Sequence, residues 1–411
     1  MTTTTQGTTP ILLAFSGGLD TSFCVPWLKE TYGRPVITVT IDTGGIDATA
    51  AQTLAARARA LGASAHHLVP AKDDYFERVL KYLLIGNTRR GQLYPLCVGA
   101  ERVVQAQTIA AMANKLGSTT VAHGCTAAGN DQVRFEVALR TLAPSLEILA
   151  PVRDRAFKRP DQLRFLEERK LPVPPYGAAY SVNRGLWGVT IGGKETLTSA
   201  NSIPESAWVL TRDAFTAPRA PERHTIGFEQ GIPASLDGAD LDPVALIERL
   251  EEVAAPFGVG RGIHLGDTVI GTKGRVAFEA PAADVLLTAH RELEKLVLTG
   301  RQARIKELVA APYGDLVHEG QHLDPVCRDI EALLRSSQTR VTGEVTVLLR
   351  PGSVFVEGVT SPWSLLAASK GVYGEAAGEW TPMDALGYSK MLALTGVFYT
   401  RAGESERDQR Q

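Results

Sequence analysis

Seven residues near the amino terminus, Ser-Gly-Gly-Leu-Asp-Thr-Ser at 16–22, have the composition of a phosphate-binding loop. Adjacent glycines let the backbone approach a ligand closely, and successive N–H groups that lead into a helix can bind an anion. The hydroxyls of Ser16, Thr21 and Ser22 add donors, and Asp20 could help to hold magnesium. The segment lacks the lysine of a Walker A loop and the spacing of a Rossmann fingerprint. The pattern favours a loop that binds the pyrophosphate end of ATP over a simple strand-to-helix turn.

The same loop indicates a type of reaction. Binding the pyrophosphate end of ATP suits attack at the α-phosphate, so that pyrophosphate leaves and an adenylylated intermediate forms. No residue stands out as a covalent nucleophile. Cys125 is better explained as a small buried thiol than as a reactive one. His123 is either a general base or a structural histidine at the end of a strand.

A second group of polar residues occupies positions 123–136, in the run His-Gly-Cys-Thr-Ala-Ala-Gly-Asn-Asp-Gln-Val-Arg-Phe-Glu. It follows an apolar segment with the pattern of a strand, and one of its Asn or Asp residues could cap the helix that comes next. Capping accounts for one polar side chain. It does not account for the whole set, which is Thr126, Asn130, Asp131, Gln132 and Arg134. The segment is therefore a second candidate binding site.

The elements predicted around these segments place them close together. Short apolar runs predict strands at Ile11–Phe15, Val36–Ile41, His66–Val69, Thr119–His123 and Leu146–Ala150. Amphipathic stretches predict helices around 22–31, 47–61, 73–85, 100–115 and 159–169. This alternation predicts an α/β domain with a parallel sheet. Ligands of such sheets bind beyond the carboxyl ends of the strands, so we expect both polar segments at one edge.

The pattern changes after a predicted linker, Leu-Pro-Val-Pro-Pro at 171–175. The features predicted beyond it are a helix near 243–254, two short strands flanking 271–275, a long helix over 283–310, a hairpin that turns at 350–352, and a C-terminal arm that includes 382–394. They indicate a second domain of mixed α and β structure.

The composition is that of an ordinary soluble protein, with 44% hydrophobic and 21% charged residues in a chain of 411, long enough for two domains. The 43 Lys and Arg nearly balance the 45 Asp and Glu, so net charge gives no argument for a nucleic-acid or membrane partner. The start, Met-Thr-Thr-Thr-Thr-Gln-Gly, lacks the features of a signal peptide, and we expect a cytoplasmic protein. Four widely spaced cysteines predict neither a disulfide framework nor a structural metal site.

A series of motifs in this chain resembles the argininosuccinate synthases over nearly the whole length. Besides the 123–136 run, they are AFSGGLDTS at 14–22, YPL at 94–96, PVRD at 151–154, YS at 180–181, LWG at 186–188, FGVGR at 257–261, LEKLVL at 293–298 and VTGEV at 341–345. The resemblance implies a parallel-sheet ATP-pyrophosphatase domain of the adenine nucleotide alpha hydrolase type, followed by an α+β synthetase domain with a C-terminal helical arm. The implied boundaries are a disordered head at 1–10, a nucleotide-binding domain at 11–170, a synthetase and multimerisation domain at 171–365, an arm at 366–399 and a disordered tail at 400–411.

The resemblance also implies a carbon–nitrogen ligase of arginine biosynthesis. In this family the ureido oxygen of citrulline attacks the α-phosphate of ATP to give citrullyl-AMP and pyrophosphate, and the amine of aspartate then displaces AMP to give argininosuccinate. The implied co-substrate is ATP with Mg²⁺, the partners are small molecules rather than nucleic acid or membrane, and the assembly is a homotetramer.

Matching positions carry the family's site residues over one by one. The ATP positions are Ala14, Phe15, Ser16, Gly17, Gly18, Leu19, Asp20, Thr21, Ser22, Ile41 and Gly124. The aspartate positions are Thr126, Asn130 and Asp131. The citrulline positions are Tyr94, Gly99, Asn130, Arg134, Ser181, Thr190, Gly266 and Phe278. Among all of these, the expected catalytic residues are Asp20, Asn130, Asp131 and Arg134.

Several citrulline positions depart from the family's pattern. After YPL the family continues GTSLARP, whereas this chain continues CVGAERV, so Gly99 replaces a serine. Gly266 replaces a glutamate that meets the citrulline ammonium, and Phe278 replaces a tyrosine. Thr190 replaces a serine but keeps the hydroxyl. The ATP and aspartate positions stand, so the differences concentrate at the amino-acid end of citrulline.

These departures leave two forms of the substrate open. Free citrulline would need a new partner for its ammonium, and His264, Asp267 or Glu101 could supply it. An Nα-acylated citrulline has no ammonium and needs extra volume. We favour free citrulline because the overall match is so extensive.

Two other functions are compatible with the fold. A tRNA-thiolating or amidotransferase-type ligase would require paired catalytic cysteines, a glutaminase domain or a basic face, and the sequence shows none of them. A non-catalytic nucleotide-binding regulator is disfavoured by the matching ATP and aspartate positions.

Overall fold

A computed structural model describes residues 9–174 and 180–408, with side chains described as far as residue 404. The strands are β1 (Ile11–Ala14), β2 (Val36–Asp42), β3 (Ala65–Pro70), β4 (Thr120–Ala122), β5 (Glu147–Leu149), β6 (Ser181–Gly185), β7 (Gly188–Gly192), β8 (Glu222–Glu229), β9 (Ile232–Leu236), β10 (Ala239–Asp240), β11 (Arg261–Asp267), β12 (Lys273–Glu279), β13 (Gly343–Arg350) and β14 (Ser353–Thr360). The helices are α1 (Leu19–Tyr32), α2 (Ala48–Ala60), α3 (Lys72–Tyr75), α4 (Lys81–Ile85), α5 (Arg102–Lys115), α6 (Asn130–Leu142), α7 (Pro151–Asp154), α8 (Arg159–Glu168), α9 (Pro243–Ala254), α10 (Pro281–Val297), α11 (Gly300–Glu319), α12 (Pro325–Ser337), α13 (Leu365–Ala368) and α14 (Pro382–Asp408). A π-helical turn at Phe76–Leu80 joins α3 to α4.

The amino-terminal part is a five-stranded parallel sheet with the order β3-β2-β1-β4-β5. Ile11, Leu12 and Leu13 of the central strand β1 are fully buried, because helices cover both faces of a parallel sheet. The chain leaves β1 toward β2 on one side, whereas β4 pairs with β1 on the other side. Strand order therefore reverses between β1 and β4, and the carboxyl ends of these two strands form the crevice where such sheets bind ligands.

Two antiparallel sheets follow, with the orders β10-β9-β8-β13-β14 and β11-β12-β7-β6. The amphipathic helix α10 buries its apolar side chains, among them Leu286 and Leu293, in the same core as Val345 and Val347 of β13. The hairpin of β6 and β7 lies against the edge of the parallel sheet, where the Leu186 N–H donates to the Thr43 carbonyl at 2.9 Å. This contact brings the second antiparallel sheet to the crevice of the first domain.

The α/β fold class predicted from sequence is confirmed, and so are the five predicted strands of the parallel sheet. The predicted hairpin at 350–352 is also confirmed, as β13 and β14.

The single long helix predicted over 283–310 is wrong, because α10 ends at Val297 and α11 begins at Gly300. The break is a capping box, in which Thr299 accepts from the Gln302 N–H and the Gln302 side chain accepts from the Thr299 N–H. The sequence signal for this helix start was the Thr-x-x-Gln spacing at 299–302, which lies within a continuous amphipathic pattern.

Residues Pro362–Gln411 form a separate compact unit. Its main element is α14, which begins after a capping pair in which the Thr381 N–H donates to Asp384 Oδ2 at 2.9 Å. The helix continues to Asp408, although a disordered tail is predicted from residue 400. Polar composition alone suggested that tail, but Arg, Ala and Glu are also strong helix formers, so a helix can extend through them. The other boundaries proposed from sequence remain predictions.

Parts of three predicted segments lie outside the described residues: most of the head at 1–10, the last residue of the linker at 171–175, and the final three residues of the tail. Within the part of the chain that is described, no helix combines the length and the apolar character needed to cross a bilayer.

Candidate active site

The loop at 16–22 joins β1 to α1 and is held in shape by its own hydrogen bonds. Thr21 Oγ1 lies 3.2 Å from Ser16 Oγ and donates to the Gly18 carbonyl at 3.3 Å. Gly17 has φ of +74°, and a Cβ there would overlap the side chain of Leu54, so any other residue would be strained at this position. The first N–H groups of α1 have no partner within the helix and face outward at its positive end. The loop can therefore bind an anion with backbone donors.

Gly124 brings the segment after β4 directly against this loop. A Cβ at Gly124 would lie 2.9 Å from Thr21 Cγ2 and 3.1 Å from the Thr21 nitrogen. Backbone atoms cannot move aside cheaply, so a side chain at this position would push the two loops apart. The two polar segments identified in the sequence thus meet at the crevice between β1 and β4.

A first cavity of about 370 Å³ opens above this junction. It is lined by most of the predicted ATP positions: Ala14, Phe15, Ser16, Gly18, Asp20, Thr21, Ile41 and Gly124. Ile46 and Leu54 add an apolar wall at one side, while the loop hydroxyls make the other side polar. Three predicted positions, Gly17, Leu19 and Ser22, do not line the cavity. Ser22 is fully buried and donates to the Gly17 carbonyl at 3.4 Å, so it supports the loop from behind.

A second cavity of about 460 Å³ adjoins the first. It is lined by the aspartate positions and by most citrulline positions: Tyr94, Gly99, Thr126, Asn130, Asp131, Arg134, Ser181, Thr190 and Gly266. The two cavities share a wall formed by Asp20, Arg102, Gly124, Cys125, Asp131 and Asn183. All four expected catalytic residues, Asp20, Asn130, Asp131 and Arg134, line the second cavity, and Asp20 and Asp131 also line the first.

Phe278 is the citrulline position that the structure does not bring to the cavity wall. It is 2% exposed and packs behind Tyr94, with ring centroids 5.2 Å apart. The side chain therefore supports Tyr94 rather than facing the cavity.

Asp131 is held by two guanidinium groups. Its Oδ2 lies 3.0 Å from Arg102 Nε, and its Oδ1 accepts from Arg134 Nη1 at 2.8 Å. Burial opposes ionisation of this carboxyl, but the two cations outweigh that effect and hold the pKa of Asp131 at about 2. Asp131 is therefore a carboxylate at every physiological pH.

Arg134 is fixed on its other side by the carboxyl-terminal end of α11. Its Nε donates to the His318 carbonyl at 2.7 Å, and its Nη2 lies 3.1 Å from His318 Nδ1. Burial and the nearby Arg134 lower the pKa of His318 to about 3, so the ring is neutral and Nδ1 can accept from the guanidinium. Arg134 thus has a fixed orientation in the cavity wall.

One oxygen of the Asp20 carboxylate is held by a hydrogen bond. Gln162 Nε2 donates to Asp20 Oδ1 at 2.8 Å, which ties the loop to α8. The carboxylate lines both cavities, so it is available to a group bound at their junction.

Neither Cys125 nor His123 has the chemistry of a catalytic group here. Burial raises the pKa of Cys125 to about 12, with Asp131 adding to the shift, so the side chain remains a thiol at neutral pH. Burial and the nearby Arg153 lower the pKa of His123 to about 4. His123 Nδ1 accepts from the Cys125 N–H at 3.3 Å, so the proton of the neutral ring resides on Nε2. The structure favours a structural role for His123.

The two glycines in the citrulline site do not leave empty space. A Cβ at Gly266 would lie 2.5 Å from His264 Nε2, and a Cβ at Gly99 would lie 3.0 Å from the Arg134 guanidinium. The His264 ring stacks on Tyr94, with centroids 5.5 Å apart and planes at 19°. The volume freed by the glycines is thus taken up by His264 and Arg134.

Several lining residues were missed by sequence reasoning, namely Arg90, Arg102, Asn183, Arg275 and His318. Asn183 carried a usable signal, since residues two apart on a strand share a face and Ser181 was already assigned. Arg102 lies three residues after Gly99 at the start of α5, whereas Arg90, Arg275 and His318 come from parts of the chain distant from the motifs, and no local pattern distinguishes them.

Two family models match the chain, one described as the arginosuccinate synthase N-terminal HUP domain at residues 10–172 and one as the arginosuccinate synthase C-terminal domain at residues 180–399. The argininosuccinate synthase of Xanthomonas campestris pv. campestris is 41% identical to this chain over 95% of its length and 98% of the relative. That of Pyrobaculum aerophilum is 37% identical over 95% and 98%, and that of Methanocaldococcus jannaschii is 37% identical over 86% and 89%. Resemblance in both domains, at this identity and over nearly the full length, establishes the relationship. The chain belongs to the argininosuccinate synthase family.

Proposed function

We propose that this chain is the ligase that condenses citrulline with aspartate at the expense of ATP, giving argininosuccinate, AMP and pyrophosphate. The observation that supports this function best is the shared wall of the two cavities at Asp20, Gly124 and Asp131. A nucleotide in one cavity and amino acids in the other would meet at this wall. Two successive displacements at one centre need such an arrangement.

In the first step, the ureido oxygen of citrulline attacks the α-phosphate of ATP. Ile41, Ile46 and Leu54 form an apolar wall suited to the adenine ring, and the loop at 16–22 offers backbone N–H groups to the phosphates. These donors neutralise the charge that develops on the departing pyrophosphate. Citrullyl-AMP then extends from one cavity into the other, past the residues that line both.

Mg²⁺ bound with ATP fits the carboxylate of Asp20. Magnesium is usually held by one or two carboxylates together with substrate phosphates and water, and Asp20 lines the junction of the cavities beside the phosphate loop. When bound there, the ion supplies additional positive charge to the pyrophosphate leaving group.

In the second step, the amine of aspartate attacks the ureido carbon of citrullyl-AMP and AMP leaves. We assign aspartate to Thr126, Asn130 and Asp131, which line the second cavity. The hydroxyl and the amide donate to carboxylates, and ionised Asp131 attracts the ammonium group. Because the pKa of Asp131 is held at about 2, this attraction persists at physiological pH.

We assign citrulline to the remainder of the second cavity, with Tyr94, Asn130, Arg134, Ser181 and Thr190 around it. Free citrulline fits this site better than an Nα-acylated form, because His264 and Arg134 fill the volume beside Gly266 and Gly99 that an acyl group would need. Asp267 also lines the cavity and is a candidate partner for the ammonium, whereas Glu101 lines the nucleotide cavity instead.

Pyrophosphate release by the purified protein tests this function. We expect release that requires ATP, citrulline and aspartate together in steady state, with argininosuccinate as the product. In parallel reactions, kcat/KM for free citrulline is expected to exceed that for N-acetyl- and N-succinylcitrulline by about a hundredfold, since an acyl group would clash with packed side chains. A preference for an acylated form would contradict the assignment of free citrulline, and pyrophosphate release without any dependence on aspartate would contradict the reaction.

We further propose a cytoplasmic homotetramer in which α14 takes part in the assembly. Apolar side chains occur on all sides of this helix, and many are exposed in the single chain, including Met383, Tyr388, Met391, Leu392 and Phe398. A helix of this kind is normally buried against other helices, so contacts between copies account for it.

Charge substitution on α14 tests the assembly. The double variant Met391→Asp and Leu392→Asp is expected to lower the oligomeric state measured by light scattering, because the two side chains are 69% and 68% exposed in the isolated chain. Lys390→Asp, at the preceding position, is the control and should leave the mass unchanged. An unaltered tetramer in the double variant, or a monomeric parent protein, would rule out this role for α14.

A further inference from the structure

Four polar side chains form a closed ring of hydrogen bonds in the wall of the nucleotide cavity. Glu101 Oε2 accepts from Thr43 Oγ1 at 2.8 Å, and Glu101 Oε1 accepts from Arg102 Nη1 at 2.6 Å. Arg102 Nη1 also donates to Gln105 Oε1 at 2.9 Å, and Gln105 Nε2 donates to Thr43 Oγ1 at 3.1 Å. All four residues line the first cavity. A closed ring of hydrogen bonds restricts the orientation of each of its members.

Backbone from the second domain closes over the ring. A Cβ at Gly185 would overlap Glu101 Oε2, so the end of β6 lies directly on this carboxylate. The neighbouring Leu186 N–H donates to the Thr43 carbonyl at 2.9 Å. The Glu101 carboxylate is therefore confined between two domains and can hold a partner in a fixed position.

The partner that extends beyond the ring is Arg102. It is the one member that lines both cavities, and its Nε reaches across the shared wall to Asp131 Oδ2 at 3.0 Å. A long arginine side chain has many rotamers, but hydrogen bonds from Nη1 to Glu101 and Gln105, together with the ion pair between Nε and Asp131, hold this guanidinium in place. The contacts thus run from Glu101 through Arg102 to the carboxylate assigned to the aspartate amine.

Burying the Glu101 carboxylate costs desolvation free energy. Glu101 is only 3% exposed, and burial raises its pKa to about 7 despite the stabilising effects of Arg102 and the Thr43 hydroxyl. A buried acid kept at such a cost is better explained by the side chain it orients than by the stability it adds.

We propose that Glu101 is a positioning residue that orients Arg102, and through Arg102 the Asp131 carboxylate that receives the aspartate substrate. This inference rests on the proposed ligase function. It adds to that function a residue outside the matched site positions, and it predicts a defect specific to one of the three substrates.

Kinetic comparison of Glu101→Ala and Glu101→Gln tests the proposal. Glu101→Ala releases Arg102 and is expected to raise KM for aspartate about tenfold, with changes below about threefold in KM for citrulline and ATP. Glu101→Gln keeps an acceptor for Arg102 and a group that can bond Thr43, so it should restore KM for aspartate to within about threefold of the parent value. This rescue keeps the test informative if the alanine variant folds poorly.

Glu331→Ala is the matched control, because Glu331 is a buried carboxylate outside both cavities that bonds Arg328 and Tyr313. It should leave all three KM values unchanged in the folded protein. Equal increases in all three KM values in Glu101→Ala, or an unchanged KM for aspartate in both Glu101 variants, would overturn the proposal while leaving the ligase function intact. A parent protein whose pyrophosphate release does not respond to aspartate would overturn both.

Discussion

Asp131→Asn is expected to lower kcat/KM for aspartate by about a hundredfold, the largest specific effect of any substitution in the second cavity. The change removes the carboxylate that pairs with the incoming ammonium, leaves Arg134 without its anion and leaves Arg102 paired with Glu101 alone. Breaking a buried charge pair from one side costs about 3–5 kcal/mol, and the 36% exposure of the Asp131 side chain reduces this to about 3 kcal/mol by solvent screening. Each 1.4 kcal/mol is a factor of ten. Steady-state pyrophosphate release at saturating ATP and citrulline, with aspartate varied, measures the effect.

The effect of Asp131→Asn should be confined to aspartate. ATP binding, measured by calorimetry, is expected to remain, because the nucleotide cavity keeps its loop and its apolar wall. Asp74→Asn is the control, since Asp74 is an exposed acid whose partner Arg78 lies one helical turn away, and it should leave the kinetics unchanged. An Asp131→Asn enzyme with normal KM for aspartate would show that another group holds the ammonium.

Asp20→Asn is expected to reduce kcat for pyrophosphate release by about two to three orders of magnitude, because the variant loses the carboxylate within the phosphate loop. Asparagine can still accept the hydrogen bond from Gln162, so the loop should keep its shape and the thermal unfolding midpoint should move little. The variant should also require a higher Mg²⁺ concentration for half-maximal activity. A titration of Mg²⁺ at fixed ATP measures both quantities.

The Asp74→Asn variant is again the control, and it should share the parent's Mg²⁺ response. If Asp20→Asn retains full kcat and the same Mg²⁺ requirement, then Asp20 does not hold the metal ion that would supply positive charge to the leaving group. If kcat falls without any change in the Mg²⁺ requirement, then the carboxylate serves the loop and not the ion.

Much of the nucleotide site was predictable because its residues are contiguous. The loop at 16–22 and the run at 123–136 each follow a strand of a parallel sheet, and the geometry of such sheets places the ends of neighbouring strands together. Gly124 lies directly against Thr21, as this geometry predicts. The fold class followed from the same alternation of apolar runs and amphipathic stretches.

The amino-acid site was less predictable because its wall is assembled from distant parts of the chain. His264 and His318 come from β11 and α11, and each meets a residue of the first domain, Tyr94 in one case and Arg134 in the other. Gly266 alone suggested an enlarged pocket. The position of His264 over Gly266 reverses that suggestion, since a neighbouring side chain occupies the space.

The sequence by itself determined the elements, the phosphate loop and the polar run that meets it, because backbone propensity and strand order act locally or through simple periodic rules. Only the tertiary structure decided that Asp131 lies between two arginines, that Phe278 stands behind Tyr94, and that Glu101 is buried beneath Gly185. The physical reason is that ion pairing and burial depend on side chains brought together from separate elements. The distances between those side chains cannot be read from the amino-acid sequence alone.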